Sequence, residues 1–247
     1  MTQLEMARKS KITKEMKTVA KIEGVPIEFI LEGLCDGTIV LPKNIKHDSL
    51  IQPKGIGKGL LTKVNANIGT SSDKADINYE LKKLDVAIKA GADAVMDLST
   101  GGDIDKIRRE IIKNSPVPVG TVPIYQAAVE AVESNRPIVK MSENEILEGI
   151  FKHIEDGVDF ITIHAGVTLE TIERLKNDKR LTQIVSRGGS FLACWMIYNK
   201  KQNPIYSNFS KILKKAKEYD VTLSLGDGLR PGCISDATDR PQIHELI

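Results

Sequence analysis

From residue 61 onward the apolar positions switch repeatedly between two spacings, every second residue and then every third or fourth. The two-residue spacing predicts strands at 62-TKVNANIG-69, 93-DAVMDLST-100, 117-VPVGTVPIY-125, 158-VDFITIHAG-166, 183-QIVSRGG-189 and 221-VTLSLGDG-228. The wider spacing predicts helices between them. Ile77, Leu81, Leu84 and Ile88 form one stripe, stopped by Gly91; Ile104, Ile107 and Ile111 form the next, before Pro116. Ser142 and Glu145 have the spacing of a capping box ahead of Ile146, Ile150 and Ile154, and Gly157 closes that helix. Leu169, Ile172 and Leu175 mark another stripe, 190-SFLACWMIYNK-200 an apolar one, and Ile212, Ala216 and Tyr219 the last. The first sixty residues follow a different pattern. Helices are expected from Thr13 to Glu23 and within 26-PIEFILEGLCDG-37, a short strand and turn at 39-IVLPKNIKH-47, and a flexible connection at 54-KGIGKG-59.

Six β-α units in succession argue for an α/β fold with a parallel sheet. An open doubly wound sheet and a closed β/α barrel both satisfy the pattern. Two features favour a TIM-type barrel: polar residues recur at the C-terminal end of every strand, where barrel enzymes build their sites, and the first strand-loop lacks the dinucleotide glycine fingerprint. The expected organisation is therefore an N-terminal extension over residues 1–60 packing on a barrel over residues 61–247. That barrel is incomplete, with six of the eight strands such a fold needs. The tail 228-GLRPGCISDATDRPQIHELI-247 suits a loop and the start of a helix. The sequence thus reads as the front part of a longer protein. Open sheet edges and an uncovered apolar strip would leave it poorly soluble or oligomeric in isolation.

The strand ends carry the candidate chemistry. In 62-TKVNANIGTSS-72, Val64, Ala66 and Ile68 are expected to face the helices, and Lys63, Asn65 and Asn67 the barrel interior. Asn67 sits nearest the mouth, where an amide both donates and accepts; the competing reading is a polar layer satisfied within the barrel. In 96-MDLSTGGD-103, Asp97 and Ser99 share one face, Met96 and Leu98 the other, and Asp103 reads as a helix cap. Met96 by its spacing alone reads as core. Of four histidines only His164 ends an apolar strand, where a neutral imidazole can donate, accept or exchange a proton. His47, His153 and His244 read as surface or loop residues. The segment 185-VSRGGS-190 runs from strand into helix, so its glycines, the helix N-terminus and Arg187 suit an anion. The segment 224-SLGDGLRPG-232 again sets a carboxylate and an arginine between glycines. Two basic, glycine-lined loops on neighbouring strands point to a phosphorylated substrate.

Composition narrows this only a little. A net charge of +2 over 247 residues, with lysines dispersed, makes no case for nucleic-acid or membrane binding. The three cysteines, Cys35, Cys194 and Cys233, form no CxxC motif, and Cys194 within its apolar run is expected to be a buried thiol. This usage fits a reducing cytoplasm. Residues 1–18 mix charges, unlike a signal peptide, and no apolar run approaches the roughly 20 residues that span a bilayer.

The segments VNANIGTS, GADAVMDLSTGGD, PVPVGTVPIYQA, FITIHAG, VSRGGS and SLGDGLRPG, in this order, resemble the phosphomethylpyrimidine synthase family, which makes the pyrimidine half of thiamine. The likeness runs from about Thr2, through ARKSKITKEM and LPKNIKH, to Ile247. It implies a β/α barrel, usually dimeric, in which a [4Fe-4S] cluster cleaves S-adenosylmethionine. The deoxyadenosyl radical then converts 5-aminoimidazole ribonucleotide to hydroxymethylpyrimidine phosphate, formate and carbon monoxide. It implies ribonucleotide contacts at Asn67, Met96, Tyr125, His164, Ser186, Arg187, Gly188, Asp227, Gly228, Leu229 and Arg230; Met96 and Tyr125 would not be chosen from spacing. The family's CxxCxxxxC cluster motif, a substrate-binding glutamate and the histidines that bind a divalent metal such as zinc are expected beyond Ile247, so no metal ligand and no catalytic residue is assigned within this chain. Two other readings stay open at this point: a catalytically silent ribonucleotide-binding fragment, and a non-radical barrel lyase acting on a phosphorylated substrate.

Overall fold

A computed structural model describes residues Met1–Ile247. The elements run α1 (Gln3–Arg8), α2 (Lys14–Glu23), α3 (Ile27–Cys35), β1 (Ile39–Val40), β2 (Ile56–Gly57), β3 (Asn65–Ile68), α4 (Ile77–Lys89), β4 (Ala94–Asp97), α5 (Ile104–Asn114), β5 (Val119–Thr121) and α6 (Pro123–Glu133). They continue with α7 (Glu143–Asp156), β6 (Phe160–Ile163), α8 (Leu169–Asn177), α9 (Arg187–Asn199), α10 (Pro204–Ser207), α11 (Phe209–Tyr219), β7 (Thr222–Leu225) and α12 (Arg240–Leu246). No helix is long and apolar enough to cross a membrane.

The fold is α/β, built on a five-stranded sheet of order β3-β4-β5-β6-β7. β3 to β6 pair in parallel. β7 continues the direction: Thr222 N–H donates to the Asp159 carbonyl and Gly226 N–H to that of Ile163, at 2.9 and 3.0 Å. The sheet is open, with β3 and β7 as its edges, and it does not close into a barrel. Of the six expected strands five form. The stretch 183–189 does not: residues 183–186 are irregular and the helix has begun by Arg187. The Ser186 hydroxyl takes the Gly189 N–H at 3.1 Å and caps a helix where the expected strand would continue. The 54–59 stretch is less loose than expected, since Ile56–Gly57 pairs antiparallel with Ile39–Val40.

The chain divides into two compact units. The first takes residues 1–122, 152–161 and 214–223; the second takes 123–151, 162–213 and 224–247. In the first, the N-terminal helices gather a core of Ala7, Met16, Val19, Ala20, Ile30, Leu34, Ile39 and Leu41. Val95 and Val119 of the sheet are buried in this unit too, as are Ile107, Ile111, Ile154 and Ile161. Thr13 caps α2 by accepting the Met16 N–H, and Gly24 closes it at φ +68° in the left-handed region. In the second unit the capping box forms as expected, with the Glu145 N–H on Ser142 Oγ at 3.1 Å and the Ser142 N–H on Glu145 Oε2 at 2.7 Å. Trp195, Leu192, Met196 and Ile205 are buried there, and the indole N–H reaches the Met141 carbonyl at 2.7 Å.

Cys194, His47 and His153 depart from expectation in their burial. Cys194 is exposed: its run is apolar all round, and the buried face of α9 falls on Leu192, Ala193, Trp195 and Met196. His47 and His153 are buried. His47 Nδ1 lies 2.6 Å from Asp159 Oδ2 and its Nε2 3.1 Å from the Ser115 carbonyl. His153 accepts from Arg108 Nη1 at Nε2 (2.9 Å) and meets Thr121 Oγ1 at Nδ1 (2.8 Å). Burial, reinforced by the Arg108 charge, holds His153 well below the usual histidine range. Both rings are partnered at each nitrogen, which is what lets an imidazole be buried.

Candidate functional site

His164 follows β6 directly and is 5% exposed. The alternation along the strand puts it on the same face as Thr162. Its Nδ1 lies 2.8 Å from the Gly226 carbonyl, which can only accept, so Nδ1 carries the proton. Nε2 is then left as an acceptor, and the Ser186 hydroxyl donates to it at 3.0 Å. Burial pushes the His164 pKa down; the Gly226 carbonyl opposes this, the Arg230 charge adds to it, and Asp227 pulls the other way. The result is a neutral ring with a fixed tautomer.

Glycines press against both sides of that ring. A Cβ on Gly188 would stand 2.8 Å from His164 Cδ2 and 2.9 Å from Nε2. One on Gly226 would stand 3.1 Å from Cε1. Neither position admits a side chain without moving the imidazole. Gly188 and Gly189 belong to the first turn of α9, which Ser186 caps. A Cβ on Gly189 would collide with the Gly228 backbone, so the 186–190 loop and the 227–230 loop meet backbone to backbone. Ser186, Gly188, Gly228 and Leu229 are buried, while Arg187, Asp227 and Arg230 are exposed. Two arginine side chains are thus presented from a rigid, glycine-packed base.

Arg187 lies over the ring of Tyr125 in the first turn of α6, its guanidinium carbon 4.9 Å from the ring centroid. Arg230 Nη1 donates to the Asp227 carbonyl at 3.0 Å. The backbone N–H groups of Gly228 and Leu229 each donate to the Glu245 carboxylate at 2.6 Å. Sequence reasoning missed Glu245 and its neighbour in this arrangement, Arg180, because neither stands in a motif; only the fold brings 180, 229 and 245 together.

Of the residues the likeness implies, the second unit therefore assembles Tyr125, His164, Ser186, Arg187, Gly188, Asp227, Gly228, Leu229 and Arg230. Asn67 and Met96 lie in the first unit, as register partners across β3 and β4. Register partners in a parallel pair point to one face, so the exposed Asn67 amide and the half-buried Met96 side chain stand side by side. Asn67 Oδ1 accepts from Asn65 Nδ2 at 3.0 Å along that face. Val64 is 60% exposed rather than packed on helices, since it precedes the strand. The loop after β3 is fixed from behind: the buried Glu80 accepts the Gly69 N–H at 2.8 Å, and Thr70 accepts no water-facing role, its N–H donating to Ser99 Oγ and its hydroxyl to the Gly101 carbonyl. Asp97, whose pKa burial raises, takes the Ser99 hydroxyl and faces the core, and Asp103 caps α5.

A metal or cluster would need a set of ligand side chains brought together in this chain. An iron–sulfur cluster is held by several thiolates. Cys35 lies in the first unit, Cys194 is on the surface of α9, and Cys233 Sγ sits 3.2 Å from Asp236. No three His, Cys, Asp or Glu side chains come together as a ligand set. The residues of this chain do not fit a cluster or a protein-ligated divalent metal.

The sequence profile of the Radical SAM ThiC family matches residues 2–247. Curated relatives printed as phosphomethylpyrimidine synthase align over the whole chain. The protein from Caldanaerobacter subterraneus subsp. tengcongensis is 63% identical over 247 residues, which is 57% of its own length. That from Thermoanaerobacter sp. (strain X514) is 61% identical with the same 57% of its length covered. That from Geobacter metallireducens is 58% identical, with 56% of its length covered. The chain spans just over half the length of these relatives.

Proposed function

The chain belongs to the Radical SAM ThiC family, and from that premise we propose that its second unit binds 5-aminoimidazole ribonucleotide for the synthase that makes the thiamine pyrimidine. The observation that carries this reading is the pair of glycine-packed loops, 186–190 and 227–230, presenting Arg187 and Arg230 around a neutral His164. A phosphate suits the two guanidinium groups and the N-terminus of α9. Nδ1 of His164 is already engaged by Gly226, so the Ser186 hydroxyl and Nε2 form one polar pair that orients the ligand and can pass a proton between them. Asn67 and Met96 enter through the likeness alone. The family reaction, giving hydroxymethylpyrimidine phosphate with formate and carbon monoxide, belongs to the whole synthase. In this reading its [4Fe-4S] cluster, S-adenosylmethionine and zinc are held by parts that these 247 residues do not contain, and the open sheet forms part of a β/α barrel in a homodimeric cytoplasmic lyase.

Calorimetric titration of the chain with the ribonucleotide tests the reading. One site per chain is expected. Arg230→Ala should weaken it by about tenfold or more, the worth of one hydrogen bond to a charged group, and Asn67→Ala should weaken it less. Absence of binding, or equal affinity in Arg230→Ala, refutes it.

A further inference from the structure

Gly228 and Leu229 are the two buried positions of the 227–230 loop, and their N–H groups already have partners. Glu245 Oε1 takes the first and Oε2 the second, both at 2.6 Å. The Leu229 carbonyl is held as well, by Arg180 Nη2 at 2.6 Å. Arg180 is 8% exposed and also binds Asp239, with Nη2 to Oδ1 at 2.7 Å and Nε to Oδ2. Asp239 in turn caps α12, the helix that carries Glu245, by accepting the Gln242 N–H at 3.1 Å. The contacts close a ring: loop to Arg180, Arg180 to the start of α12, and α12 through Glu245 back to the loop. Next to Arg180 the backbone is pinned again, since Asp236 takes the N–H groups of Leu181 and Thr182 at 3.0 Å each. On the far side, a Cβ on Gly166 would strike the Glu245 backbone, so α12 seats there only against a glycine.

We propose that Glu245 and Arg180 are positioning residues whose clamp fixes the 227–230 loop, so that the loop meets a phosphorylated ligand with the Asp227 and Arg230 side chains and not with the Gly228 and Leu229 N–H groups. The proposal deepens the ribonucleotide reading and rests on it for the identity of the ligand. The physical reason is geometric. Two N–H donors aimed at one carboxylate fix both the peptide between them and the direction in which the next side chain leaves. An ionised carboxylate is needed, because a neutral one offers one donor where two acceptors are required. The charged groups around Glu245 are Asp227 and Arg230 on the loop, Arg180 and Asp239 behind it, and Glu170 beside His244 toward α8. Burial raises the Glu245 pKa, the two N–H groups and Arg230 oppose this, and Asp227 adds to it. The two N–H donors need the carboxylate form, so the clamp is released as the pH falls through that raised value.

Amide NMR on the whole chain provides a readout that packing alone would not move. The Gly228 and Leu229 resonances should titrate together, at a midpoint above that of a free glutamate, and their exchange should be slow. Glu245→Gln should abolish that titration, speed exchange of both amides at least tenfold and weaken the ribonucleotide about tenfold. Adding the ribonucleotide to the unaltered chain should leave the two amides protected and still titrating with Glu245. The clamp is overturned if the amides in Glu245→Gln remain slow or still titrate, or if the ribonucleotide displaces Glu245 from them. The positioning role is overturned if the amides are released while affinity is unchanged. Should Glu245→Gln not fold, the titration of the unaltered chain decides. A folded, unaltered chain that binds no ribonucleotide refutes the ligand reading, and the clamp then stands or falls on the amides.

Discussion

Asp220 offers a quantitative test of how the first unit is held together. It ends α11 at φ +58°, partly buried, and its carboxylate accepts the Gln3 N–H at 2.8 Å. Burial raises its pKa from 3.8 to about 6, against the Gln3 N–H, with Glu5 and Glu15 adding to the rise. The folded chain therefore keeps a proton between pH 3.8 and about 6 that the unfolded chain has released, and stability falls as pH rises through that window. Asp220→Asn removes the charge, keeps an oxygen for Gln3, and suits the left-handed backbone, which asparagine tolerates. At about 1.4 kcal/mol per unit the full shift corresponds to roughly 3 kcal/mol. The variant should gain about 3 kcal/mol over the parent at pH 8, falling to about 1 kcal/mol at pH 4.5. Urea unfolding followed by far-ultraviolet circular dichroism at the two pH values measures both. A gain that does not grow with pH, or a loss at pH 8, refutes the reasoning.

Two further outcomes rest on the buried polar groups. Arg108 is fully buried and donates to Asp105, Asp156 and His153, so Arg108→Ala strips those groups of a guanidinium in the interior; a loss of about 3–5 kcal/mol in urea unfolding is expected. Arg109→Ala, which removes an exposed partner 3.6 Å from Asp156, serves as the control and should cost less than about 1 kcal/mol. For His164, nitrogen–proton correlation spectra at pH 7 should show a neutral ring protonated at Nδ1, and a charged ring there would contradict the site geometry. Because its folded pKa lies below 6.5, the unfolded chain takes the proton first on acidification, so this residue costs stability as pH drops below 6.5.

Periodicity made most of the helices and five of the strands legible. Ile104, Ile107 and Ile111 fell on one buried stripe, and the Ser142–Glu145 spacing gave its capping box, because both signals are local. What was not legible depended on distant residues. The 183–189 stretch looked like a strand from two apolar residues, yet Ser186 bonds locally to cap a helix instead. His47 and His153 looked like surface residues, since the partners that permit their burial, Asp159 and Arg108, lie far away in sequence. Cys194 went the other way, in a helix with no polar face to show which side is inward. At the candidate site the motif residues were visible as strand ends and glycine loops. Their support was not, because the contacts of Arg180 and Glu245 to the loop and to Asp239 join residues far apart in sequence and leave no periodic trace.

The division of the chain has a consequence for its synthesis. The first unit is completed by residues 214–223 and the second by residues 224–247, each after two earlier visits. Neither is one continuous stretch of the chain. Residues 1–213 must all be made before either unit receives its last piece, whereas the core of the N-terminal helices takes its buried residues from 7–41 alone and can gather early. A single cut before residue 214 would therefore free neither unit intact.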